Sequence, residues 1–514
     1  MKIPSKLLMI LIITCINLNI PANGQESEVH LKGPCIPCSE LKELRLPDVT
    51  ITEAIEVKPD TALSSNEKVQ HCKVVGHIGR EINFELLLPT EWNGRFAMGG
   101  GGGFVGSIQN AVRYGLNLGY ATSGTDTGHK GYGIKADWAY NNMERQVNFG
   151  HLAIHRTAEV SKALIYYYYC SDPEYSYFLG CSRGGGQAMM EAQRYPEDFD
   201  GIVAMAPAFS WPATAAEFIQ NIQALYPDPE NLETAVVTND NLKLLQKMVL
   251  EACDEIDGIK DGILNDPRDC VFNIEDLPGC PDDRPDSTCF TKQQIEAIRT
   301  IYDGVVVDSK EVYPGFPFGG ENENGGWNNW IVGPVESLKT LHYPSLQYGY
   351  GTEIFKYLVF NNPDWDYSTY NFADFFRETE YAAAYLDATS TDYSGLKENN
   401  GKIILVHGWE DAALSALSTI DHYESVKEVD PDCDQYMKLY LLPGVLHCAG
   451  GPGPYQTDWL GTIRAWVEQG TIPDRVVVTR SENGEVVVSR PVYPYPRKAV
   501  YDGKGDPDKE SSFK

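Results

Sequence analysis

Residues 179–196 read LGCSRGGGQAMMEAQRYP, with Ser182 in a G-x-S-x-G frame and a cysteine directly before it. The apolar run SYFLG, residues 176–180, leads in and has the length of a short buried strand. GGGQAMMEAQRYP leads out and reads as a helix that stops near Pro196. A serine on a sharp strand-to-helix turn projects its hydroxyl above a sheet edge, and the helix N-terminus beneath it favours developing negative charge. In a chain with 47 glycines the frame alone arises by chance. The reading therefore depends on partners elsewhere in the sequence.

Strand-like runs recur on both sides. They fall at residues 73–78, 82–88 and 95–98 before the serine, and at 201–208 after it. A helical stretch covers 143–169. The rhythm breaks at about residue 209, where prolines, four cysteines and many Asn, Asp and Tyr appear. It resumes at KIILVHG, 402–408, and YMKLYLLPG, 436–444. Alternating strands and helices predict an α/β fold with a mostly parallel sheet covered on both faces. The predicted organisation is a core of residues 25–208 and 397–514, with residues 209–396 inserted as a lid domain.

A serine nucleophile needs a base and an orienting acid. The chain order Ser, acid, His belongs to α/β-hydrolases. His447, in LLPGVLHCAGG, follows the last predicted strand. Asp411, in HGWEDAALS, follows the strand before it, with Glu410 as the competing neighbour. His407 reads as structural, at a strand end. Asp126 and His129, in GTDTGHKGYG, read as loop-ordering groups near the site. One oxyanion donor is expected from the backbone N–H of Arg183. The other is expected from the five glycines at 99–103, with Gly102 and Gly103 favoured. That glycine run lacks the G-K-[ST] ending of a phosphate loop and the spacing of a dinucleotide site.

The cysteine before Ser182 gains a meaning from the cysteine after His447. If serine and imidazole meet, Cys181 and Cys448 come within bridging distance. Such a bond would stabilise by about 5 kcal/mol on the chain-entropy model. It would also limit drift of the base, where a misplacement of ~1 Å costs about 100-fold in rate.

The 514 residues carry a formal charge of −30, which becomes −32 once Lys2 and Lys6 leave with a signal peptide. Such a surface repels nucleic acid and anionic membranes. Residues 1–24 have that signal form: basic start, apolar LLMILIITCI, and Ala22-x-Gly24 at the end. A membrane anchor is the competing reading. No other run is long enough to span a bilayer. Export makes disulfides expected among the eleven cysteines outside the signal, with an odd one left over. The expected location is secreted or periplasmic.

A second chemical feature is CDEIDGIKDGILNDPRDC, residues 253–270. Asp254, Asp257 and Asp261 lie within eight residues, interleaved with Gly258 and Gly262. Oxygen ligands on a flexible loop suit Ca²⁺, although the spacing is not that of an EF-hand. A solvated acidic loop is the alternative.

With CS at 181–182, Asp411 in HGWED and HC at 447–448, the chain resembles the tannase and feruloyl esterase family of α/β-hydrolases. WNGRFAMGGGGGF at 92–104, TDTGHKG at 125–131 and GCSRGGGQAMMEAQRYPEDFDGIVAMAPA at 180–208 carry the same resemblance, which spans residues 38–480. It implies serine hydrolysis of esters of small aromatic acids under a large lid. It also implies a structural Ca²⁺ held by the three aspartates and the carbonyls of Ile259 and Ile263. The pairs Cys253–Cys270, Cys280–Cys289 and Cys38–Cys72 belong to this reading. Cys35, Cys170 and Cys433 remain unassigned. Tyrosines 166–169 and the lid aromatics Trp327, Trp330, Phe355 and Phe360 are candidates to pack an aromatic acyl group, or simply core. Two other functions remain open: an amide hydrolase with the same triad, and a non-catalytic calcium-stapled binding protein.

Overall fold

The structure is a computed structural model that describes residues 31–60, 62 and 67–514. The expected signal segment, residues 1–24, lies outside the described residues. The chain forms β1 (Val49–Val57), β2 (His71–Ile78), β3 (Ile82–Pro89), β4 (Arg95–Gly99), β5 (Ala121–Thr125), β6 (Tyr175–Ser182) and β7 (Gly201–Pro207). Later come β8 (Val305–Val307), β9 (Lys310–Tyr313), β10 (Lys402–Gly408), β11 (Met437–Leu442), β12 (Val476–Glu482) and β13 (Glu485–Val492).

Nine strands make one sheet in the order β1-β2-β3-β5-β4-β6-β7-β10-β11. The run from β5 to β11 is parallel, while β1, β2 and β3 add an antiparallel edge. The parallel strands are apolar on both sides, and successive residues alternate faces. Phe178, Ile202, Ile403 and Leu405 pack beneath helices Ala153–Tyr169, Arg183–Arg194 and Ala416–Val429. Tyr177, Leu179, Val203, Ile404 and Val406 pack on the other face, against Trp459, Ile463 and Trp466 of helix Trp459–Gln469. The predicted helix at 143–169 is present but interrupted by one π turn at Asn148–Leu152.

The chain leaves the sheet after Pro207 and returns at Lys402, between two adjacent parallel strands. The intervening residues form their own apolar clusters. One of these includes Phe104, Val105 and Phe149 from the sheet domain, so the insertion packs onto the glycine loop and the π turn. The strands β8 and β9 form a separate two-stranded sheet within it.

Among the described residues five disulfides are formed, and they include all four expected pairs. The fifth joins Cys35 to Cys170, tying the N-terminal segment to the end of helix Ala153–Tyr169. Cys433 is a free, buried thiol.

Candidate active site

Ser182 ends β6, and the helix Arg183–Arg194 starts on the next residue. Its backbone sits at φ 62° and ψ −122°, a region that costs a non-glycine residue about 1–3 kcal/mol and recurs at functional sites. The turn is tight enough to require its glycines. A Cβ at Gly180 would lie 2.5 Å from the Gly184 carbonyl carbon, and one at Gly100 would lie 2.6 Å from the Gly184 Cα. The glycine loop is thus pressed directly against the turn that carries Ser182.

Asp411 and His447 follow β10 and β11, at the same edge of the sheet as Ser182. His447 Nδ1 donates to Asp411 Oδ2 at 2.8 Å. Asp411 Oδ1 accepts the backbone N–H groups of Ala413 and Leu414 at 2.8 and 2.9 Å. Burial by itself would raise this carboxyl. The charges and hydrogen bonds of His447 and His407 outweigh it and hold Asp411 well below the usual carboxylate range. The group therefore stays ionised, as the orienting acid of a triad must.

The Cys181–Cys448 bond holds those two Cα atoms 5.9 Å apart, which clamps the His447 loop to the Ser182 turn. Ser182 Oγ makes no hydrogen bond to a described residue. Looser nucleophile–base contacts are usual before substrate binds. Glu410, the competing acid, is buried and makes no hydrogen bond to His447, and Glu323, Glu321 and Asp261 add to the effect of burial in raising its carboxyl.

His407 accepts from or donates to Thr419 Oγ1 through Nδ1 at 2.8 Å, and its Nε2 contacts the Leu414 carbonyl at 3.0 Å. It also stands 3.3 Å from Asp411 Oδ2, so it supports the acid as well as the strand end. His129 contacts the Phe104 carbonyl at 2.9 Å and stacks on Trp138 at 3.6 Å. Burial pushes its imidazole down to about 4. Asp126 accepts the N–H groups of Asn83 and Gly128, both at 2.9 Å. Both residues order the loop beside the glycine run, as expected.

The expected oxyanion donors divide. The Arg183 N–H opens its helix and has no acceptor within it. Gly103 N–H has no acceptor among the described residues. Gly102 is corrected: its N–H already donates to Gln109 Oε1 at 2.8 Å. Nothing in the glycine run itself announces that partner, which lies seven residues on.

The tyrosine run follows the core alternative rather than the acyl-binding one. Tyr169 stacks on Trp92 at 4.3 Å and Tyr168 lies in the same core, while Tyr166 and Tyr167 are exposed. None of the four faces the site. Trp327, Phe355 and Phe360 pack within the insertion. Trp330 is different, because its ring meets the His447 ring edge-on at 5.0 Å. It stacks on Tyr350 at 6.0 Å, and Tyr350 meets Phe104 at 5.2 Å. An aromatic wall thus runs from the base to the glycine loop.

Arg183 has an unforeseen second feature. Its side chain is 1% exposed and lies over Phe149 and Trp211. It donates to the carbonyls of Phe149 and Gly150 in the π turn. Burial pulls this guanidinium down to about 9.

In the acidic loop, Asp254, Asp257 and Asp261 each use Oδ1 to accept a main-chain N–H, from Gly262, Ile259 and Ile263. Burial, followed by repulsion among the three, raises Asp254 and Asp257. The carbonyls of Ile259 and Ile263 accept no hydrogen bond among the described residues. Crowded carboxylates and free carbonyls fit the all-oxygen shell of Ca²⁺. Their ligand atoms are not all within 4.8 Å of one another. Arg490 of β13 binds Asp261 Oδ2 at 2.9 Å, and Lys498 holds Asp266 and Asp269. The C-terminal segment therefore anchors this loop.

The family model for tannase and feruloyl esterase matches residues 66–514. An uncharacterized esterase of Xanthomonas campestris is 31% identical over 93% of this chain and 90% of its own length. The mono(2-hydroxyethyl) terephthalate hydrolase of Piscinibacter sakaiensis is 30% identical over 89% of this chain and 86% of its own. The crystal structure of feruloyl esterase B from Aspergillus oryzae has a TM-score of 0.81 at 25% identity, covering 93% of this chain and 99% of that one. Among the described residues no helix is long and apolar enough to cross a membrane. The chain belongs to the tannase and feruloyl esterase family of α/β-hydrolases and is a carboxylic ester hydrolase.

Proposed function

We propose that the chain is an exported serine esterase that hydrolyses esters of small aromatic acids through an acyl-enzyme. The observation that carries this is the 2.8 Å contact between His447 and a buried, ionised Asp411, bridged to the Ser182 turn by Cys181–Cys448. Ser182 Oγ attacks the ester carbonyl carbon as His447 Nε2 takes its proton. The oxyanion receives the N–H groups of Arg183 and Gly103. When the tetrahedral species collapses, His447 returns the proton to the leaving alcohol. Water then attacks the acyl-Ser182 ester with His447 again as base, releasing the acid and the free serine. Asp411 holds the imidazole tautomer throughout.

The insertion at 209–396 acts as the lid in this reading. Trp330 supports an aromatic acyl group, since it lies against the base and continues into Tyr350 and Phe104. Ca²⁺ would be held by Asp254, Asp257 and Asp261 with the carbonyls of Ile259 and Ile263, where it neutralises the crowded carboxylates. That role is structural, because the ester chemistry needs none of these groups. Five disulfides and the N-terminal signal pattern support export.

A panel of methyl ferulate, methyl gallate, terephthalate monoesters and acetate esters tests the proposal. Aromatic esters should lead in kcat/KM by at least tenfold, and Trp330→Ala should erase most of that lead by raising KM. Preference for acetate or long alkyl esters would overturn the aromatic assignment.

A further inference from the structure

Nine residues beyond Ser182, on the same helix, stands Glu191. It is 1% exposed, no N–H or hydroxyl donor reaches either carboxylate oxygen, and its polar neighbour is the Asp198 carboxyl, against which burial and like charge raise it well above the usual carboxylate range. At 1.5 Å per helical residue it lies about 13 Å from the serine, too far to join the ester chemistry. An unpartnered buried carboxylate is costly, so the fold must offer it a proton or a cation.

Two more ligand-bearing side chains face it. His155 comes from helix Ala153–Tyr169, and Asp198 comes from the turn before β7. His155 Nδ1 and Asp198 Oδ2 are 2.7 Å apart. One ligand atom from each of His155, Glu191 and Asp198 lies within 4.8 Å of the other two. The Lys162 ammonium donates to the Asp198 main-chain carbonyl, not to a carboxylate. Tyr195 stacks on the His155 ring at 3.9 Å and 9°, and its hydroxyl meets His151 Nδ1 at 2.7 Å. The imidazole plane is therefore fixed before any ligand arrives.

We propose that His155, Glu191 and Asp198 form a binding site for a divalent transition-metal ion of the zinc class. Zn²⁺ takes imidazole and carboxylate ligands at about 2.0–2.2 Å in tetrahedral geometry. Its ligand atoms then stand about 3.4 Å apart, so the cluster needs only small side-chain shifts. One nitrogen and two carboxylates give too few oxygens for Ca²⁺, which separates this site from the lid loop. The side chain of His155 is 18% exposed, which leaves an entry path beside Glu159, whose carboxylate stands 3.5 Å from His155 Nε2. A bound ion would tie helix Ala153–Tyr169 to the helix that carries Ser182 at its start.

The test uses the full-length protein, stripped by chelator and then resupplied with Ca²⁺ so that the acidic loop stays saturated. Calorimetric titration with Zn²⁺ should show one ion per chain. Co²⁺ in its place should give the visible absorption of a tetrahedral site. Glu191→Gln and His155→Gln, checked by near-ultraviolet circular dichroism for an intact fold, should each weaken Zn²⁺ at least 100-fold. Absence of binding by the parent protein at 100 μM Zn²⁺ would overturn the proposal without need of a variant. So would variants that bind as the parent does.

Discussion

Replacing Asp411 with asparagine keeps the side-chain shape and changes one atom that matters. Oδ1 accepts two backbone N–H groups, from Ala413 and Leu414. The amide oxygen must stay there, because an NH₂ facing two donors leaves all of them unsatisfied. The NH₂ therefore takes the place of Oδ2 and points at His447 Nδ1. That nitrogen can then only accept, so the imidazole proton moves to Nε2, the atom that has to receive the serine proton. The same tautomer error in a serine protease triad lowers kcat about 10⁴-fold. That is about 5–6 kcal/mol of transition-state stabilisation, and a similar loss is expected here. His407 Nε2, already engaged with the Leu414 carbonyl, cannot accept from the new amide. An added stability loss of about 1–3 kcal/mol follows. The assay is steady-state hydrolysis of a chromogenic aromatic ester, with urea unfolding in parallel. A folded Asp411→Asn enzyme retaining more than a tenth of the parent kcat would refute the triad assignment.

Chelator treatment should lower the melting temperature, and Ca²⁺ should restore it; Ca²⁺ at 100 times its Kd stabilises by about 2.7 kcal/mol. An unchanged transition would remove the calcium assignment. Cys448→Ser should reduce kcat far more than it raises KM, with stability falling by about 2–5 kcal/mol. Equal activity in the bridged and unbridged proteins would show that the clamp does not position the base. Asp411 is held below the usual carboxylate range, so its stabilising contribution is complete above about pH 4 and fades only as pH falls into strong acid. The unfolding free-energy gap between the parent and Asp411→Asn should therefore persist from pH 8 down to about pH 4 and shrink only below that, and a gap closing near neutrality would contradict this.

The serine turn was legible because three local signals agree: a buried strand, a glycine-flanked serine and a helix with a proline stop. His447 and Asp411 could be found because each follows a strand with a continuous apolar run. The paired placement of Cys181 and Cys448 turned a chain-order argument into a spatial one, and the bond is present. Cys35 and Cys170 carry no such cue, since 135 residues separate them and neither neighbours a functional group. The antiparallel edge escaped in part because β1 has only two buried residues, Ile51 and Ala54. Gly102 failed as a donor because hydrogen-bond competition from Gln109 depends on loop geometry, not on composition. Among the lid aromatics, only tertiary packing separates Trp330, which reaches the base, from Trp327, which fills a core.

The account rests on Ser182 as the nucleophile, and trapping the acyl-enzyme tests that directly. A fluorophosphonate, or a slow aromatic ester quenched in acid, should add one adduct mass per chain, located on the peptide that contains Ser182. Ser182→Ala should carry no adduct and show no turnover while keeping its fold. An adduct on another residue, or turnover that survives in Ser182→Ala, would contradict the account.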